Sequence, residues 1–102
     1  MDRITQLEEI LTQDSTNAFA RYGLAMEYSN LGDTETAITE FHSLVAAHPD
    51  YSAGYFMAAQ ALARVNRVPE ARQWLTDGIA AAVRSGNGHA QSEMETMLAE
   101  LT

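Results

Sequence analysis

Cysteine is absent from the 102 residues. That excludes disulfides and thiolate metal centres, and it leaves the redox compartment undetermined. Lysine is absent too, so all six basic side chains are arginines. Set against fourteen carboxylates, they leave a formal net charge of -8. The phosphate backbone of nucleic acid would be repelled unless the arginines clustered strongly. Arg64, Arg67, Arg72 and Arg84 give the second half a mild local excess but no basic stripe. No apolar run approaches the roughly 18 residues that a membrane span needs. The longest, Ile79 to Val83, is short and rich in alanine. No basic segment precedes an apolar one at the N-terminus, as a secretory leader requires. The expectation is a soluble, acidic, cytoplasmic protein with no nucleic-acid or membrane partner. A hydrophobic content of 46% fits an ordinary folded chain, here read as one small domain over residues 1–102.

Signals for chemistry are also missing. His42, His48 and His89 have no second histidine at helical spacing and sit in no metal-ligand motif. His48 falls in the last turn of a helix, where the dipole favours a cation. Glu8-Glu9, Asp33 with Glu35, and Glu93 with Glu95 are one or two residues apart, so on a helix they do not face each other as an acid/base pair. Gly86-x-Gly88 lacks the strand and the lysine of a phosphate loop. The sequence therefore assigns no catalytic residue, metal or cofactor, and the chain is not read as an enzyme.

What the chain does have is a period. Shifting it by 34 residues places Ala25 on Ala59, Tyr28 on Leu62, Ala37 on Ala71 and Phe41 on Leu75. A fixed period of this length marks a helical repeat. Residues 18–51 and 52–85 are two copies of one helix-turn-helix unit. Ile4, Leu7, Ile10 and Leu11 mark a further helix over residues 2–14, and Met94, Met97, Leu98 and Leu101 a capping helix over 88–101. Asp14 to Asn17 supply a turn and N-cap oxygens. Gly32-Asp33 closes the first helix of copy one, and Asn66 stands in for that glycine in copy two. His48-Pro49 stops one helix, and Pro69 opens another. Six helices and no strand are expected. In the last helix of copy two, Ala71, Leu75, Ile79 and Val83 mark the inward face. Ala25, Ala37, Ala59 and Ala71 mark close approach of paired helices. Gly78 stands where copy one has Leu44; it is either a tight contact with the last helix or a weak spot.

These residues resemble the tetratricopeptide repeat. The first copy carries Leu24, Ala25, Tyr28, Gly32, Ala37, Phe41 and Pro49; the second carries Tyr55, Ala58, Ala59, Leu62, Ala71 and Leu75. Arg21 departs from the pattern where a large aromatic is usual, and so do Asn66 and Val83 in copy two. The resemblance implies an all-α superhelix of antiparallel helix pairs. It also implies a concave groove, lined by the first helix of each pair, that binds a peptide or helix of a partner protein.

On that geometry the groove holds Phe19, Tyr22, Met26 and Asn30 from copy one. Copy two contributes Phe56, Met57, Gln60 and Arg64, and the last helix Met94 and Met97. Family members that grip C-terminal carboxylates use lysine, asparagine and arginine on this face. Tyr22, Met26, Met57 and Gln60 occupy those places, which argues against a carboxylate clamp. A methionine and aromatic lining suits apolar partners. The same residues are also compatible with plain core and with a homodimer interface. Arg64 is either a partner for a ligand's acidic group or a solvated surface charge. Gly23, in mid-helix, implies close approach of a ligand or a neighbouring helix.

Overall fold

The computed structural model describes residues 2–101. These form six α-helices and no strand: α1 Arg3–Gln13, α2 Ala18–Asn30, α3 Thr34–Ala47, α4 Ser52–Arg64, α5 Val68–Ser85 and α6 Gly88–Glu100. They gather into two compact units, one ending at His48 and the other beginning at Pro49. In the first, α2 packs on α1 and α3; in the second, α5 packs on α4 and α6, and α4 also touches α6.

The sequence starts its helices with side-chain oxygens. Asp2, Asn17, Asp33 and Asn87 each accept a hydrogen bond from the backbone N–H three residues on, satisfying one of the orphan donors of a first turn. The bond from Thr5 N–H holds the Asp2 carboxyl below its usual pKa. α4 and α5 lack such a cap, and α5 instead has Pro69 in its first turn. The turns that follow α2 and α4 are built alike. Gly32 (φ 83°) and Asn66 (φ 62°) are both left-handed. Asp33 N–H then donates to Tyr28 C=O at 3.0 Å, and Arg67 N–H to Leu62 C=O at 2.9 Å. These bonds close the helix ends in the same way, so asparagine does replace glycine at the repeat turn.

The four alanines expected at close helix contacts are fully buried, as are Phe41 and Leu75. In the first unit Leu7, Ala20 and Leu24 form a cluster against which Ile4, Leu11 and Tyr28 pack. Ile10 is more exposed than its place in the α1 pattern suggests. Val83 corrects the expected inward face of α5: it is exposed, while Ala81 and Ala82 are buried. A step of four residues overshoots a 3.6-residue turn by about 40°, so three such steps from Ala71 leave the core. The buried row runs Ala71, Leu75, Gly78, Ala82 instead, alternating steps of four and three.

Trp74, which the periodic positions did not single out, is a core residue. Its ring lies 6.1 Å from that of Tyr55 on α4. The Tyr55 hydroxyl donates to Pro49 C=O at 2.7 Å, and burial raises its pKa. Thirty-four residues earlier the same positions hold Arg21 and Glu40. They form an ion pair at 2.8 Å, and Arg21 also donates to Ser15 C=O at 3.1 Å. An arginine and a tyrosine thus tie down the same loop carbonyl in the two copies.

Candidate functional site

One face of α4 repeats at helical spacing, with Ala53, Phe56 and Met57 apolar and Gln60 at its end. α6 presents His89, Ala90, Glu93 and Met97 across from it. Between them runs a trough. Its narrower end, by Ser52 and Asn87, is a cavity of about 250 Å³. It widens past Gln60 and Met97 toward Glu100. Phe56, Met57 and Met97 are half-buried, and Met94 forms a floor with only 1% of its surface exposed.

Gly78 sets how deep that floor lies. A methyl group on it would come within 2.5 Å of Met94 Sδ and 2.6 Å of Tyr55 Cβ. The absence of a side chain lets α4 and α6 both close on α5 at one point. Gly78 is therefore the tight contact. Met94, expected on the groove face, is turned into the core by it.

The sequence-derived residues divide by place. Phe56, Met57, Gln60, Met94 and Met97 come together in the trough. Arg64 is exposed in the last turn of α4, outside the lining. Phe19, Tyr22, Met26 and Asn30 lie on α2 in the first unit. There Phe19 is 64% exposed, Asn30 is exposed, and Met26 is half-buried. Tyr22 meets the ring of Phe41 edge-on at 6.4 Å. The close neighbour of Gly23 is α1: a methyl there would lie 3.2 Å from Leu7 Cδ1.

Sequence reasoning missed His89, Ala90 and Glu93 as lining. Asn87, the N-cap of α6, is the signal that was available. Counted from it, Ala90, Glu93 and Met97 fall on one helical face.

His89 and Glu93 approach at 3.5 Å, with the imidazole 87% exposed. Among the described residues no three His, Asp or Glu side chains gather to hold a metal ion. No helix among the described residues is long and apolar enough to cross a membrane.

Comparison with known proteins decides the family. A tetratricopeptide-repeat-containing protein of Pseudomonas aeruginosa is 34% identical over 98 residues, covering 96% of this chain and 93% of that protein. The chain belongs to the tetratricopeptide-repeat family. The fold agrees. A solution structure of a Bordetella parapertussis protein superposes with a TM-score of 0.81 at 23% identity, over 98% of this chain and 87% of the other. A tetratricopeptide-repeat domain protein of Salinibacter ruber does so at 0.77 and 28% identity in solution, over 85% of this chain and 88% of that one. Its crystal structure gives 0.71 at 27%, over 82% and 93%. No family model matches the sequence. Tetratricopeptide repeats are general protein-interaction scaffolds and seldom catalysts.

Proposed function

We propose that this tetratricopeptide-repeat chain is an interaction module that seats a helix or peptide of a partner protein in the trough between α4 and α6. The observation that supports it is the pair of half-buried side chains Phe56 and Met57. Met57 lies over a floor already filled by Met94, and Phe56 continues the apolar wall to the wider end, where Met97 lines the other side. Side chains needed only as core would be covered as Met94 is. Apolar side chains left half-covered in a groove are what an amphipathic partner buries. The lining has no lysine or arginine, so a partner's C-terminal carboxylates are not the group recognised. On α2, Phe19 is exposed and Met26 half-buried.

The test is selection from a displayed peptide library, followed by titration of the selected peptides against the wild type and Met57→Glu. Affinity should fall at least about tenfold in the variant, with its circular dichroism unchanged. If Met57→Glu unfolds the protein, the residue is core and the docking reading fails. Light scattering over a concentration series accompanies the titration. A concentration-independent dimer that Met57→Glu converts to monomer would assign the trough to self-association instead.

A further inference from the structure

The lip of the trough carries charge of one sign. α6 bears Glu93, Glu95 and Glu100 and no arginine, and Glu93 and Glu100 line the trough itself. The facing side of α4, from Ala53 to Gln60, is uncharged. The arginines of this unit are engaged or placed elsewhere. Arg67 pairs with Glu70, and Arg84 with Asp50. Arg72 donates to Leu101 C=O. Among the described lining residues only His89 offers a cation, and Glu93 already faces it at 3.5 Å; Arg64 is exposed one turn beyond Gln60, outside the lining. Both walls are helices whose backbone groups are bonded internally, so neither presents an edge to which an extended strand could add.

Building on the docking reading above, we infer that the trough's partner is a cationic amphipathic helix of another protein. Its apolar stripe lies on Phe56, Met57 and Met97, and its lysines or arginines meet Glu93 and Glu100. A helix satisfies its own backbone polar groups and asks the trough only for apolar contact and charge. A second copy of this chain is disfavoured, since it would bring another net charge of -8 and set carboxylate against carboxylate.

Three synthetic helical peptides test this against the full chain. They share one leucine/alanine stripe and differ only in a polar face of lysine and arginine, of glutamine, or of glutamate. Binding is read by anisotropy and by amide shifts. The cationic peptide should bind about tenfold or more tighter than the glutamate peptide, shifting Phe56, Met57, Ala90 and Met97. E93Q/E100Q should weaken it about three- to tenfold. E8Q/E9Q removes the same charge from exposed positions on α1 and should change affinity less than about twofold. An equal loss in E8Q/E9Q would mean that only net charge attracts the peptide, and would overturn the inference. Equal affinity of all three peptides at the trough would also overturn it while leaving the docking reading standing. Absence of shifts at the trough with every peptide would remove both. Melting curves of the two variants confirm that each is folded.

Discussion

Arg21 and Glu40 meet at 2.8 Å where, one repeat later, Tyr55 and Trp74 meet as rings. The family pattern shows only that Arg21 is out of place; it does not show that Glu40 is its complement. The pair is mostly covered, with side chains 22% and 16% exposed, so its members should be coupled. Replacing Arg21 by tyrosine leaves a carboxylate in a poorly hydrated place and should cost about 2 kcal/mol. Replacing Glu40 by tryptophan should cost less, because an indole can lie against the guanidinium. The double variant R21Y/E40W rebuilds the second copy's arrangement and should recover about 1 kcal/mol relative to the sum of the singles. Urea unfolding of the four proteins measures this, and strict additivity would show that the two positions do not interact. At the same scale, Asp2 and Glu70 have pKa values held below the ordinary carboxylate range by bonds from Thr5 and Arg67. A lowered folded-state pKa means that the contribution is present above the unfolded value and is lost as pH falls through the folded one. On acidification below about pH 4, wild type should therefore lose more helical signal than Asp2→Asn, in which the cap acceptor remains but no longer titrates. An identical loss in the two would remove Asp2 from the account.

Among the helices, two interior glycines that look alike in sequence behave oppositely. Alanine in place of glycine favours a helix by about 1 kcal/mol. At Gly23 the new methyl meets only the tips of Leu7 and Arg3, at 3.2 to 3.5 Å, which can move a little. Gly23→Ala should fall within about 0.5 kcal/mol of wild type. At Gly78 it meets Tyr55 Cβ at 2.6 Å, next to the backbone of α4, so two helices must separate. Gly78→Ala should lose about 1–3 kcal/mol net. Chemical denaturation of both variants checks the pair, and equal stabilities would sink the argument. The helices themselves were legible in the sequence, because caps, turn residues and the 34-residue period act locally and agree with one another. What could not be read was depth. Met94 looks like a groove residue until Gly78, sixteen positions earlier, is seen to admit it. Val83 looks buried until the drift of a four-residue step is counted through. Trp74 stood off the periodic positions, although it shares a buried face with Ala71 and Gly78.

For the molecule as a whole, charge is unevenly spread: residues 1–48 carry eight carboxylates and two arginines, against six and four in the rest. Most ion pairs are exposed and contribute little each, so repulsion among the uncompensated carboxylates should dominate. Raising sodium chloride from about 20 to 200 mM shortens the screening length severalfold. It should raise Tm by roughly 4 °C, the equivalent of about 1 kcal/mol. A fall in Tm would mean that the ion pairs outweigh the repulsion. The candidate site was half legible at this scale: the α4 side of the trough followed from the repeat, whereas the carboxylate lip depended on how α6 is rotated. The exchange of an ion pair for a ring pair also has an optical consequence. Trp74 is the chain's one indole, and it is packed inside the second unit. Its emission follows the melting of that unit alone, while far-ultraviolet dichroism averages all six helices. The protein thus carries its own site-resolved thermometer, and no label is needed to learn which half lets go first.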